Sequence, residues 1–232
     1  MGGVSLVQIL YEDNHILVAV KPPNMLSQED ASGDPDILSI LKQDIKVRYN
    51  KPGNVYLGLV HRLDRPVGGV MVFARTSKAA SRLSDQVRRR DVHKRYWAIV
   101  YGRPPRRTER LEHYLVKNHR TNMVSVTSNP LQGKSAILTY HCLDTIDPFS
   151  LLDIELETGR PHQIRVQLSQ IGCPIFGDQR YGRDVNQAGQ QIALWSYRLQ
   201  FTHPVKKEPM QFTSMPPDAY PWNLFDLHNV LI

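Results

Sequence analysis

Two cysteines, Cys142 and Cys173, are all that the 232 residues contain. No C-x-x-C spacing joins them, so neither a disulfide scaffold nor a structural zinc site is expected. Nine histidines are scattered without an H-E-x-x-H pair, and no metal site is expected from them. A glycine-rich phosphate loop is missing too, so the sequence gives no ground for a nucleotide cofactor. The opening "MGGVSLVQIL" lacks the basic start and apolar core of a signal peptide, and Leu6 stands where myristoylation requires Ser or Thr. No apolar run approaches the roughly 18 residues of a membrane span. A soluble cytoplasmic protein is therefore expected, without cofactor or metal.

Acid is also in short supply. Asp and Glu number 22 against 29 Lys and Arg, a net charge of +7. That excess points to a polyanionic partner, nucleic acid ahead of a membrane surface. A merely basic protein is the alternative, and composition does not separate the two.

What is present reads as alternating elements without a repeat. "VQILYEDNHILVAVKP" suggests two strands around a turn at Asp13-Asn14, closed by Pro22-Pro23, with the first strand beginning as early as Val4. A helix is expected from about Asp36, with Ile37, Ile40, Leu41 and Ile45 on one face. "GGVMVFART" reads as a strand. Ser77 is the expected N-cap of a helix with Ala80, Leu83 and Val87 on its buried face. "KRYWAIVYG" and "SAILTYHCLDTI" are two further strands. In "SLLDIELETG", Leu152, Ile154 and Leu156 alternate with acids, the pattern of a half-buried strand. Pro161 suits the first turn of a helix whose stripe is Ile164, Leu168 and Ile171, stopped at Gly172. Residues 101–110 and 178–191 read as basic or polar loops. Strands mostly follow strands, which favours an antiparallel or mixed sheet over a wound parallel one.

Three segments carry chemistry. In "HRLDRPVGG" (61–69), Asp64 sits between Arg62 and Arg65 ahead of a glycine turn and a buried strand. Flanking cations favour the carboxylate form, which is a nucleophile or base and not a proton donor. A surface ion pair is the simpler alternative. In "KRYWAIVYG", Tyr96 shares a strand face with Ala98 and Val100. A cleft-facing tyrosine there can stack on a nucleobase, whereas a core tyrosine would do nothing of the kind. In "ETGRPHQIRVQLSQIG", Arg165 lies beside the core stripe, placed either to fork onto a buried carboxylate or simply to be solvated. Arginine clusters at 82–95 and 102–110, including Arg88 and Arg89, suit phosphate geometry, with a solvated helix face as the competing reading.

Taken in order, "YEDNHILVAVKPP", "HRLDRPVGGVMVFART", "KRYWAIVYG", "ETGRPHQIRVQLSQIGCPIFGDQRYG" and "LWSYRLQFTHP" resemble the RluA-type RNA pseudouridine synthases from about residue 8 to residue 205. The resemblance implies an α+β fold: a mixed, largely antiparallel β-sheet with flanking helices and a central active-site cleft, in a single catalytic domain over 1–232. It implies that Asp64 is catalytic, that Tyr96 packs on the target uracil and that Arg165 pairs with the catalytic carboxylate. Arg62 is expected to contact RNA near the extruded base, with His61, Lys21 and Gln163 also at the RNA.

The family's usual H-R-L-D-x-x-T-S-G is Pro66-Val67-Gly68-Gly69 here after the Asp-Arg pair, which removes two hydroxyls from the loop. Gln167 replaces a usual His, and Pro161 a usual Thr. With the first strand expected from about Val4, no S4-type RNA-binding domain is expected ahead of it, and RNA recognition is expected from the catalytic domain alone or with help.

The implied reaction is an isomerisation of uridine to pseudouridine in ribosomal or transfer RNA, with no net redox change and so no cofactor. A stacked uridine must first be extruded, at a cost of a few kcal/mol that stacking on Tyr96 and insertion of Arg62 can offset. Asp64 then acts on the sugar, as a nucleophile at carbon 1′ or as a base at the 2′ proton. The expected partner is RNA alone, with no membrane and no obligate protein partner, and the chain is expected to be a monomer. Two other classes use the same features: a base-excising glycosidase, which normally needs a second carboxylate, and a catalytically inactive RNA-binding or ribosome-assembly factor. Turnover on uridine-containing RNA separates the three.

Overall fold

The computed structural model describes residues 7–230, so a strand start at Val4 lies outside the described residues. In chain order the elements are β1 (Gln8–Glu12), β2 (Ile16–Lys21), α1 (Ile37–Arg48), β3 (Gly58–Leu59), β4 (Gly68–Ala74), α2 (Ser77–Arg89), β5 (His93–Tyr101) and β6 (Thr108–Asn118). There follow β7 (Met123–Thr127), β8 (Lys134–Ile146), β9 (Phe149–Leu156), α3 (Gln163–Gln170), β10 (Leu194–Thr202) and β11 (Pro209–Thr213), with a short 3₁₀ turn at Trp222–Leu224. Within the span expected as one domain, the chain builds two compact units. The first runs to Val92 and takes up Ser196–Met215; the second is His93–Trp195 with the chain from Pro216 onward.

In the first unit the strand order is β1-β2-β4-β10, with β3 on β4 and β11 on β10. The β1–β2 turn is made by Asp13, whose carboxylate accepts from His15 N at 2.8 Å and Ile16 N at 2.9 Å, an Asx turn as the sequence suggests. Helix α1 is capped by Asp36, which accepts from Ser39 N at 2.9 Å, and buries Ile37, Leu41 and Ile45. Helix α2 starts one residue earlier than expected. Thr76, not Ser77, is the cap, because its extended backbone lets its hydroxyl accept from Ala79 N at 3.1 Å. Ala79 and Leu83 then pack on Val70, Val72 and Ala74 of β4 and on Leu199 and Phe201 of β10. All seven residues of β4 are buried, so this strand is covered on both faces.

The second unit has the order β5-β9-β8-β6-β7, with every pairing antiparallel. Strand β9 corrects the half-buried expectation: Phe149–Ile154 are all buried, Asp153 included, because Arg95 neutralises that carboxylate. Strand β6 begins inside the segment expected as a loop, and β6 with β7 forms a hairpin absent from the expected elements. Helix α3 begins at Gln163 and not at Pro161. His162 precedes it in the left-handed region at φ 52, which leaves the proline outside the first turn. Six of its eight residues are buried, and Val166 packs on Leu115, Val124 and Ala136. Among the described residues no helix is long and apolar enough to cross a membrane.

Candidate functional site

In the first unit Asp64 lies on the connection between β3 and β4, partly exposed, with buried Leu63 before it and buried Val67 after it. Three sets of bonds fix that connection. The Ser27 hydroxyl donates to Leu63 O at 2.8 Å and accepts from Leu63 N at 3.1 Å. Val67 N closes a turn onto Asp64 O at 3.0 Å. Lys21, at the end of β2 and fully buried, donates to Arg65 O at 3.0 Å, Pro22 O at 3.0 Å and Met25 O at 2.6 Å. Burial pushes the Lys21 ammonium down to about 7, while the Asp64 carboxylate holds it up and Arg65 pushes it down further.

The glycine at 69 has a strict steric reason. Its φ is +124, and a Cβ there would lie 2.3 Å from the backbone oxygen of Ser196 on β10. The "PVGG" that departs from the family pattern therefore still makes a close strand approach. His61 Nε2 accepts from Val72 N at 3.1 Å, which fixes the orientation of the ring beside the Asp64 loop. Arg62 is exposed, and Arg65 pairs with Asp34 at 2.6 Å in solvent.

Two side chains expected at the RNA are turned onto the chain's own groups. Lys21 is engaged by three backbone carbonyls beneath the Asp64 loop and has no exposed surface for a phosphate. Gln163, also buried, accepts from Thr158 Oγ1 at 2.8 Å and from Arg160 N at 3.0 Å and donates to Ile137 O at 3.0 Å. Both side chains build the protein, for the same reason: a buried polar group must meet its own chain when water is excluded.

In the second unit Tyr96 is buried on β5, 6% exposed, directly opposite Ile154 of β9. Arg165 is buried in α3 and forks onto a carboxylate from the loop that follows the helix. Its Nε donates to Asp178 Oδ2 and its Nη2 to Asp178 Oδ1, both at 2.8 Å. Asp178 Oδ1 also accepts from Arg180 N at 2.9 Å and Tyr181 N at 3.2 Å. Burial raises the Asp178 pKa, but the Arg165 guanidinium and these two amides outweigh it and hold the carboxylate below its usual range.

The Arg165 guanidinium lies 5.2 Å from the Tyr181 ring centroid. The Tyr181 hydroxyl accepts from Val124 N at 3.0 Å and bonds His162 Nδ1 at 2.7 Å. A buried fork of this kind holds a guanidinium in one orientation, which a solvated arginine does not have. Asp178 sits in "GDQRYG", within a stretch expected as a polar loop; no periodicity marks a carboxylate that folds inward from a loop.

Gln167, standing where the family usually has a His, donates to Ala136 O at 3.1 Å and meets His113 Nδ1 at 2.9 Å inside the fold. The arginine clusters are at the surface. Arg88 and Arg89 end α2 with side chains 80% and 58% exposed, and both reach Asp85. In the other cluster, Arg103 pairs with Asp147, and Arg110 with Glu157 and Glu112. Among the described residues no group of three or more His, Cys, Asp or Glu side chains could hold a metal ion.

Comparison with known proteins gives one answer. A family model described as RNA pseudouridylate synthase matches residues 15–170. The ribosomal large subunit pseudouridine synthase D of Xanthomonas campestris is 31% identical over 228 residues, covering 91% of this chain and 66% of that protein. An uncharacterized RNA pseudouridine synthase of Bacillus subtilis is 34% identical over 210 residues, covering 89% of this chain and 71% of that protein. The chain thus spans about two thirds of the length of these relatives. Among solved structures, the human RNA pseudouridylate synthase domain containing 4 superposes with a TM-score of 0.77 at 23% identity, over 94% of this chain and 91% of that one, a likeness of fold.

Proposed function

The chain belongs to the RNA pseudouridylate synthases, enzymes that isomerise uridine to pseudouridine in RNA, and from that premise we propose that it modifies ribosomal RNA with Asp64 as its catalytic residue. The observation that supports Asp64 is the way its loop is held. Residues on either side of it are fastened by Ser27 and Lys21, while its own side chain keeps partial access to solvent. A reacting group held on a fixed backbone loses little freedom on reaching the transition state.

The reaction breaks the bond from uracil N1 to carbon 1′, turns the base and joins carbon 5 to carbon 1′. The proton of carbon 5 leaves and N1 gains one, so no electrons are exchanged and no group is transferred. An ionised Asp64 serves this as nucleophile at carbon 1′ or as base at the 2′ proton. Tyr96 stacks on the extruded uracil, and Arg62, exposed beside Asp64, reaches the RNA. Arg165, forked onto Asp178 within its own unit, is held as a fixed positive charge. On this reading the chain acts in the cytoplasm as a monomer, with its exposed arginines on the phosphate backbone.

The ribosomal target follows the likeness to the ribosomal large subunit enzyme of Xanthomonas campestris. Pseudouridine mapping in ribosomal and transfer RNA, with and without the gene, tests it. Loss of a site from large-subunit ribosomal RNA is expected; loss confined to transfer RNA overturns the assignment of target.

A further inference from the structure

On β5 the basic side chains of one face are matched by carboxylates, and the lysine of the other face is not. A period of two sets His93 and Arg95 on the face that β9 fills with Asp153 and Glu155, and sets Lys94 with Tyr96 and Ala98 on the opposite face. His93 Nδ1 lies 3.8 Å from Glu155, and Arg95 forks onto Asp153. On the Lys94 face β9 presents Ile154 and Leu152, both fully buried and apolar.

Lys94 is half-buried and makes no hydrogen bond or ion pair with any described residue. Its Nζ lies over Gly159, where an added Cβ would be 3.7 Å away. The bare glycine leaves the ammonium uncovered where the chain leaves β9 for α3. Burial lowers the Lys94 pKa, with no carboxylate to hold it up.

A cation drawn out of water without a counter-ion is unfavourable, and the folded chain gains nothing from it. The missing anion therefore has to arrive with a ligand. Tyr96 lies two residues along the same face, about 6.7 Å away by strand rise. A single ligand that offers a flat ring to Tyr96 and a negative charge to Lys94 is a nucleotide in a chain. Resting on the isomerase reading above, we propose that Lys94 is the receptor for one backbone phosphodiester next to the target uridine. A lysine suits this role as a point charge, free to follow a phosphate that moves as the base is extruded.

The test is a neutral-linkage scan. Methylphosphonate linkages are placed one at a time around the mapped uridine of a ribosomal RNA hairpin. Binding is measured for the wild type, Lys94→Gln and Lys94→Arg. One linkage is expected to weaken the wild type and Lys94→Arg while leaving Lys94→Gln unaffected. The salt slope of Lys94→Gln should be shallower by about 0.7, so a fourfold rise in salt costs the wild type about 2.6-fold more affinity than the variant. The melting temperature of Lys94→Gln should not fall, since the free protein loses only a desolvated charge.

A scan in which Lys94→Gln responds to every linkage as the wild type does overturns the proposal. So does a lowered melting temperature with an unchanged slope, which would assign Lys94 to the fold. Pseudouridine is assayed in the same reactions. A wild type that shows the positional phosphate effect but forms no pseudouridine overturns the isomerase reading instead.

Discussion

Substituting Asp178 by Asn is expected to be severely destabilising, far more so than the same change at a surface ion pair. The Asp178 side chain is fully buried and that of Arg165 is 5% exposed. An amide keeps one acceptor oxygen for Arg180 N and Tyr181 N, but its nitrogen would face the Arg165 Nε–H, donor against donor. The buried guanidinium loses the carboxylate it is forked onto, and breaking a buried pair from one side costs about 3–5 kcal/mol. Arg103 and Asp147 supply the control, being 69% and 75% exposed. Asp147→Asn should cost no more than about 1 kcal/mol. Urea titration of both variants measures the difference as a shift in midpoint at unchanged slope. The double variant Asp178→Asn/Arg165→Met should recover part of the loss, because both halves of the Arg165–Asp178 pair are then removed together. An Asp178→Asn protein within about 1 kcal/mol of wild type would refute the reasoning, since that is the value of a solvated pair.

Acid should act through the same pair: with its folded pKa held below its unfolded value, Asp178 contributes stability above the unfolded carboxyl range, and that stability is lost as pH falls through the folded value. The urea midpoint of the wild type should drop on acidification, and Asp178→Asn should remove part of that drop; an identical pH profile would contradict it. Gly69→Ala should cost more than about 4 kcal/mol, because its methyl group would meet the Ser196 backbone at 2.3 Å, whereas Gly102→Ala, with φ +79 and open space, should cost about 1–2 kcal/mol. Equal melting temperatures for the two would sink the steric argument. Replacing Arg88, Arg89 and Arg90 together by Ala should lower the salt slope of RNA binding by up to about 2 if all three meet phosphate, and an unchanged slope would return them to a solvated helix face.

Much of the frame was legible because its signals are local. The Asp13 turn, the Asp36 cap and the β4 strand each depend on residues a few positions apart. The boundaries that shifted did so for local reasons of another kind. Thr76 displaced Ser77 as a cap by backbone conformation, and His162 took a left-handed φ that put Pro161 outside α3. The β6–β7 hairpin was hidden because its burial pattern is irregular, with many exposed residues among few buried ones.

The candidate site was legible as a set of motifs and not as a set of contacts. Asp64 and Arg62 stand out in "HRLD", but Ser27, which clamps Leu63, is 36 residues away in sequence. Lys21 and Gln163 were placed at the RNA because they lie in matched segments; only the fold shows them turned onto the chain's own carbonyls. Asp178 is the clearest case. A carboxylate in a polar loop gives no sequence sign that it will be buried against Arg165.

The central claim is that Asp64 carries the isomerisation, and Asp64→Asn tests it most directly. The amide preserves the shape of the side chain but is neither nucleophile nor base at neutral pH. Wild type and variant are incubated with ribosomal RNA fragments, pseudouridine is quantified, and RNA affinity is measured on the same preparations. The account predicts that Asp64→Asn binds RNA nearly as the wild type does and forms no pseudouridine above a no-enzyme control. A variant that binds and still forms pseudouridine at a rate near the wild type's would contradict it.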